Sequence, residues 1–182
     1  MEDYKLVLLN YSCIRTNQLI NNVNKSPDAQ VFGDLFLSSC PGIGKDLLGD
    51  IQIIKDLNIK CLISLMEKDE LNHFGAGNLF KELDQNKIKW IHFEIKNFGI
   101  PSFNQENELN SHIKTVSQKI LNGENVYIHC MAGLGRTGML AALILTKLGL
   151  QTKQSIEIIR NNRPGSIETE AQENYVYEFK LN

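Results

Sequence analysis

Cys130 and Arg136 stand at the two ends of a short loop in the run His129-Cys130-Met131-Ala132-Gly133-Leu134-Gly135-Arg136-Thr137-Gly138. A strand-like run, Val126-Tyr127-Ile128, leads in, and a helix-like run, Met139 to Leu145, leads out. A loop at a helix N-terminus turns several backbone N–H groups inward and makes a site for a tetrahedral oxyanion. The loop from Met131, Ala132, Gly133, Leu134 and Gly135 to Arg136 is therefore the candidate phosphate cradle. Gly133 and Gly135 permit backbone angles and a close approach that a side chain would block. Arg136 can grip two anion oxygens at once with its planar fork. Cys130, beneath the anion, is in the position of an attacking nucleophile. An ordinary thiol titrates at about 8.5, and helix N-termini and cations can lower that by several units. Thr137 can hydrogen-bond the sulfur and improve it as a leaving group, while His129 tunes the sulfur or orients the loop. The chemistry implied is phosphoryl transfer to sulfur followed by hydrolysis.

Other chemistries fit less well. Gly42-Ile43-Gly44-Lys45 is not a nucleotide loop, because the first glycine is misplaced and Asp46 stands where a hydroxyl should be. Cys13, Cys40, Cys61 and Cys130 show no C-x-x-C pairing, and His73, His92 and His112 have no metal-ligand spacing, so no metal is expected. No spacing singles out Cys40 or Cys61 as a disulfide partner of Cys130. The catalytic thiol must stay reduced, which points to a reducing, cytoplasmic setting. Met1-Glu2-Asp3-Tyr4-Lys5 does not read as a secretory signal, and Met139 to Leu145 is too short to span a bilayer. A net charge of −2 leaves no footprint for nucleic acid.

These residues need a scaffold, and 182 residues at 42% hydrophobic suffice for one substantial core. Strand-like and helix-like segments alternate, which predicts an α/β fold with a central, mostly parallel sheet flanked by helices. Strands are expected at Leu35–Leu37, Cys61–Leu65, Trp90–Ile95 and Val126–His129. Helices are expected near Asp46–Leu57, Asn78–Asp84, Arg136–Leu148, Gln154–Arg160 and Thr169–Leu181. A further helix carries Leu109, Ile113, Val116 and Ile120 on one stripe. Residues 1–30 form an N-terminal segment without a clear reading, and residues 31–182 a single domain. In such a sheet, ligands bind beyond the carboxyl ends of the strands. That brings Glu67 to Glu70, Lys96 to Pro101 and the Cys130 loop to one cleft, with the Arg163-Pro164-Gly165-Ser166 turn nearby.

The His-Cys-five-residues-Arg-Thr stretch resembles the signature of the cysteine-dependent protein tyrosine and dual-specificity phosphatases. Phe36-Leu37-Ser38-Ser39-Cys40-Pro41-Gly42 and Ile63-Ser64-Leu65-Met66-Glu67 are similar to the cyclin-dependent-kinase-associated phosphatase group. Arg163 to Thr169 and Gln172-Glu173 are more similar to small atypical dual-specificity phosphatases. The resemblance implies a phosphotyrosine-phosphatase-like domain, a phosphocysteine intermediate on Cys130, no cofactor, and a phosphorylated protein or peptide substrate. It also implies that Gln172 or Glu168 lies over the site and helps place the hydrolytic water. A kinase is a natural partner for such a protein; nucleic acid and membrane are not, and a monomer is expected. The absence of lysine from Met131 to Gly135 favours phosphoprotein over inositol lipid.

One position departs from the pattern. Relatives carry an Asp after the strand, in Ile-x-Asp followed within a few residues by Pro, whereas this chain reads Ile95-Lys96-Asn97-Phe98-Gly99-Ile100-Pro101, with Asn97 in the acid position. An amide cannot protonate a departing oxygen, and general acid help is worth about 10²–10⁴ in rate. A phenolate, whose parent acid titrates near pKa ~10, leaves unaided far more readily than a seryl or threonyl alkoxide. The chain is then a phosphatase biased toward aryl phosphates, or one that borrows Glu67, Asp69 or Glu168 as the acid. The alternative is a phosphate-binding pseudophosphatase or substrate-trapping form. Trp90 and Phe93 read as core residues, and Lys96 and Arg163 as solvated charges or anion attractants.

Overall fold

The computed structural model describes residues 9–24, 31–44 and 46–181. The acidic start from Met1 to Lys5, and Lys45, lie outside the described residues. The sheet contains β1 (Tyr11–Ile14), β2 (Leu35–Ser38), β3 (Ile59–Ser64), β4 (Lys89–His92) and β5 (Asn125–His129). Their order is β1-β2-β5-β3-β4, parallel throughout except for β1, which runs antiparallel to β2. Because β5 lies between β2 and β3, its residues Val126, Tyr127 and Ile128 are all fully buried. That is why the strand leading to Cys130 is a continuous apolar run with no alternation.

The helices are α1 (Thr16–Asn24), α2 (Leu47–Asp56), α3 (Lys68–His73), α4 (Leu79–Gln85), α5 (Glu106–Leu121), α6 (Gly135–Lys147), α7 (Thr152–Asn162) and α8 (Glu170–Glu178). Helix α6 is buried from Gly135 to Leu145 and packs against α5, α7 and α8 as well as β2 and β5. A helix enclosed on all sides must be apolar all round, as this one is from Met139 to Leu145. The expected stripe Leu109, Ile113, Val116 and Ile120 is the buried face of α5. Asp46, the residue that spoils a nucleotide-loop reading, is the N-cap of α2 and accepts from the Gly49 N–H at 2.9 Å. The neighbouring Gly42 N–H is held by the Asp50 carboxylate at 2.7 Å, the opposite of a phosphate cradle.

Three elements differ from the sequence reading. Residues 68–73, where the sequence predicts no element, form α3. Strand β4 stops at His92, but Phe93 and Ile95 still donate to Ser64 O and Leu65 O, at 3.0 and 3.2 Å, so the chain stays extended beside β3. Helix α8 ends at Glu178 rather than Leu181. The N-terminal segment, left without a reading, supplies β1, which registers Tyr11 to Ile14 against Ser38 to Leu35.

Candidate active site

The loop between β5 and α6 is held from outside, carbonyl by carbonyl. Cys130 O accepts from His129 Nδ1 at 3.2 Å, and Met131 O from the Cys40 N–H at 3.0 Å. Ala132 O and Gly133 O accept from Arg163 Nη2 and Nε at 3.0 and 2.6 Å. Leu134 O accepts from the Gly138 N–H at 2.8 Å as α6 begins. In a trans peptide the N–H points away from the preceding carbonyl. Five carbonyls pinned outward therefore turn the N–H groups of Met131 to Gly135 toward the opposite side, where Cys130 lies. Gly133 sits at φ +74, and a Cβ there would lie 2.1 Å from Ser38 O, so only glycine lets the loop close on β2.

Arg136, at the head of α6, is 2% exposed, and both of its terminal nitrogens have partners. Its Nη1 and Nη2 donate to Glu70 Oε2 and Oε1 at 2.7 and 2.8 Å, a bidentate pair. Nη1 also donates to Ile95 O at 2.9 Å, and Nη2 to Asn97 Oδ1 at 3.1 Å. Burial alone would lower the guanidinium, but the hydrogen bonds and charge of Glu70 and the Cys130 sulfur hold it above its ordinary value. Asn97 thus sits beside Arg136, which is bonded by Glu70 rather than by Glu67 or Asp69. Glu70 is the residue that sequence reasoning missed. The signal available was an acidic cluster beyond the end of β3, but only the helical turn of α3 decides which member faces Arg136.

The C-terminal segment lies against the head of α6. Glu168 Oε2 accepts from the Gly135 N–H at 2.8 Å, so a carboxylate caps the N-terminus of α6, which has no side-chain cap of its own. Gln172 is fully buried, not part of a solvated face: its Oε1 accepts from the Glu168 N–H at 3.1 Å and its Nε2 donates to Gly99 O at 3.1 Å. A Cβ on Gly135 would lie 2.5 Å from Glu168 Oε2 and 2.8 Å from Gln172 Oε1. Ile167, β-branched and buried, takes a left-handed φ of +60 directly before Glu168. Such a residue is strained by about 1–3 kcal/mol, and the bend delivers the carboxylate to the head of α6.

The remaining predicted residues are placed as follows. Cys130 is 3% exposed at the floor of the loop. Thr137 Oγ1 is buried without a hydrogen-bond partner, so the expected bond to sulfur is not made here. His129 is fully buried, and burial pushes it down to about 3 against the opposing bond to Cys130 O; the Arg136 charge adds to the lowering. It is a neutral ring, not a cation beside the thiol. Arg163 is neither solvated nor a free attractant. It is 6% exposed, and besides the loop it reaches Asn10 Oδ1 at 3.3 Å and Ser12 Oγ at 3.4 Å. Its hydrogen-bond partners, two loop carbonyls, Asn10 and Ser12, are neutral, and burial lowers the guanidinium, opposed by Cys130 and Tyr127 nearby. Phe93 is core, whereas Trp90 is half-buried and donates to Ser64 Oγ. Lys96 and His73 are exposed, and His92 and His112 half-buried. All four cysteines are free, and burial raises the Cys40 thiol to about 12. Among the described residues no group of His, Cys, Asp and Glu is arranged to hold a metal, and no helix is long and apolar enough to cross a membrane.

Residues 43–181 match the family model described as the dual specificity phosphatase catalytic domain. The chain belongs to that family. The family consists of protein tyrosine and dual-specificity phosphatases, which are enzymes, and the resemblance to the kinase-associated group holds. Cyclin-dependent kinase inhibitor 3 of Rattus norvegicus is 28% identical over 164 residues, covering 85% of this chain and 76% of the relative. Protein tyrosine phosphatase domain-containing protein 1 of Bos taurus is 31% identical over 140 residues, covering 71% of this chain but 17% of that longer protein. Among solved structures, kinase associated phosphatase with its catalytic-site cysteine substituted by serine superposes with a TM-score of 0.79. It is 25% identical, with 94% of this chain and 93% of that chain covered. The active form of Tk-PTP gives a TM-score of 0.66 at 25% identity, covering 80% of this chain and 90% of the other. The central fold is the phosphotyrosine-phosphatase fold expected from the signature.

Proposed function

We propose that this dual-specificity phosphatase hydrolyses phosphoprotein monoesters through Cys130, with a preference for phosphotyrosine over phosphoserine and phosphothreonine. Cys130 Sγ attacks phosphorus; an S–P bond forms as the P–O bond to the tyrosyl oxygen breaks, and that oxygen leaves with the electron pair. Water then attacks phosphorus, the S–P bond breaks, the thiolate returns and inorganic phosphate departs. Loop N–H groups and Arg136 carry the charge on the equatorial oxygens. Gln172 and Glu168 orient the water in the second step, and Thr137 supports the departing sulfur. No metal takes part. The observation that carries this reading is the outward pinning of consecutive loop carbonyls, which leaves the N–H groups of Met131 to Leu134 for an oxyanion, the Gly135 N–H being held by Glu168. Asn97 accepts from Arg136 and has no proton to deliver, hence the preference for a phenolate leaving group.

Two relatives bear kinase in their names, and we infer that a phosphorylated protein, with a kinase among the candidates, is the substrate or partner. We place that substrate in the reducing cytoplasm, where Cys130 stays a thiol, and take the protein to act as a monomer without nucleic acid or membrane. The test is turnover of an aryl phosphate by the intact protein and by Cys130→Ser, with and without a chelator. Activity that survives Cys130→Ser, or disappears with the chelator, removes the mechanism. A second reading, a phosphopeptide-binding module without turnover, is favoured by Asn97 alone. It requires phosphopeptide affinity lost in Arg136→Ala and turnover no better than background.

A further inference from the structure

Behind Cys130, three buried or half-buried polar groups form a chain whose hydrogens are fixed by donor arithmetic. Trp90 Nε1 can only donate, and it lies 2.8 Å from Ser64 Oγ. Ser64 Oγ lies 2.6 Å from His129 Nε2. His129 Nδ1 lies 3.2 Å from Cys130 O, which can only accept. Nδ1 therefore carries the proton, and in a neutral ring Nε2 is left as an acceptor. The Ser64 hydroxyl donates to Nε2 and accepts from the indole. Each hydrogen is used once, and all run one way, from Trp90 to the carbonyl of the nucleophile.

We propose that Ser64 and Trp90 are positioning residues of the active site, acting through His129 to hold the Cys130 carbonyl and so aim the first N–H of the phosphate loop. The peptide that follows Cys130 carries the Met131 N–H on the side opposite that carbonyl. Its plane is the one loop plane pinned neither by Arg163, nor by Cys40, nor by the helix. Without a fixed tautomer, a ring with the proton on Nε2 would turn its Nδ1 lone pair against Cys130 O and release that plane. Burial alone does not explain Ser64. It is fully buried at the end of an apolar strand, where a hydroxyl is costly unless bonded, and both of its bonds belong to this chain. Trp90 is held for its role: its ring stacks on His92 at 4.7 Å and 15°, and lies 5.0 Å from Phe80. The relay lies outside the Cys-to-Arg signature, and its near member sits on β3 and its far member on β4.

The inference rests on the phosphate-site reading of the loop, and two of its measurements need no turnover. Nitrogen-15 NMR of the intact protein at neutral pH should show His129 as the neutral ring protonated on Nδ1, and Ser64→Ala should move it toward the other tautomer. Orthovanadate binding should weaken roughly tenfold in Ser64→Ala and about threefold in Trp90→Phe, the scale of one neutral hydrogen bond. In an active enzyme, KM for an aryl phosphate should rise in proportion while kcat changes less. The double variant should match Ser64→Ala alone, because either change cuts the same chain; independent packing losses would add. A charged ring or an Nε2–H ring in the intact protein overturns the proposal. So do additive losses in the double variant, or undiminished vanadate affinity in both single variants. A protein that binds vanadate as described but hydrolyses nothing would remove the phosphatase reading and leave the relay standing.

Discussion

The phosphate loop and the loop from Lys96 to Pro101 meet at Arg136 but are built on opposite plans. The first is buried, with each carbonyl from Cys130 to Leu134 claimed by a donor: His129, Cys40, Arg163 or the first turn of α6. The second is largely exposed and carries Phe98, 57% exposed, at a φ of +58. Its holds are few: a local turn from the Gly99 N–H to Lys96 O at 2.8 Å, the Asn97–Arg136 bond and the Gln172–Gly99 bond. Stabilisation of charge must be in place before the reaction begins, since any reorganisation would raise the barrier. Proton delivery needs one group within reach, so it can sit on a loosely held segment and be lost by one substitution without harm to the fold.

The comparison breaks most completely if its shared residue is removed. Arg136→Ala should lower kcat/KM on the order of 10³ or more. It should also destabilise the fold by about 3–5 kcal/mol by leaving Glu70 without its partner. Denaturant titration beside aryl phosphate kinetics reads both, and retained activity at intact stability would contradict the assignment. Next comes the bracing of the first loop. Arg163→Met keeps the apolar stem but frees the carbonyls of Ala132 and Gly133, so kcat/KM should fall on the order of 10². A fall of less than threefold would mean that the loop holds its shape without the brace.

The second loop is sharpened by Asn97→Asp. Turnover of phosphoserine or phosphothreonine peptides should rise roughly tenfold or more, and more than that of an aryl phosphate, because only the poor leaving group needs its proton early. Equal gains count against the leaving-group argument. If Asn97→Asp gains nothing, Glu67→Gln, Asp69→Asn or Glu168→Gln should instead flatten one limb of the pH–rate profile; silence from all of them sinks both versions.

Acid titration probes the buried side of the contrast. Folding lowers His129 to about 3, from an ordinary ~6.5 in the unfolded chain. Between those values the unfolded chain binds the extra proton. The contribution is therefore complete above about pH 6.5 and is lost as pH falls toward 3, by at most about 1.4 kcal/mol per pH unit. Thermal melts from pH 7 to 4 should show the decline, and His129→Gln should shallow it. The smallest effect is expected at Glu168→Gln. Removing the charge at the head of α6 should cost about 0.3–1 kcal/mol of stability and leave vanadate binding equal or slightly tighter.

What the sequence made legible follows the same division. The Cys130 loop is a local pattern, and its flanking strand and helix announce themselves through β5's apolar run and α6's enclosure, so both were readable. The stripe of α5 was readable for the same reason. The partners of the loop were not, because each is a tertiary coincidence. Arg163 looks like any charge at a helix end, Ser64 like a polar residue in a strand, and Glu70 like one acid among several. Strand β1 was missed because four edge residues, Tyr11 to Ile14, of which only Ile14 is buried, carry little periodicity. The burial of Gln172 was not readable, because a glutamine in a polar helix gives no sign that Gly99 and Glu168 close over it.

Arg163 joins positions far apart along the chain: its bonds to Asn10 and Ser12 span 153 and 151 residues. Contacts of such long sequence separation are the last that a folding chain can afford to close. During synthesis, Cys130 and Arg136 emerge well before residue 163, so the phosphate loop lacks its brace until almost the whole domain has been made. The bracing of this loop is therefore a late folding event that reports on the meeting of the two ends of the described chain. A molecule truncated before residue 163 would carry the entire signature with the Ala132 and Gly133 carbonyls unbraced.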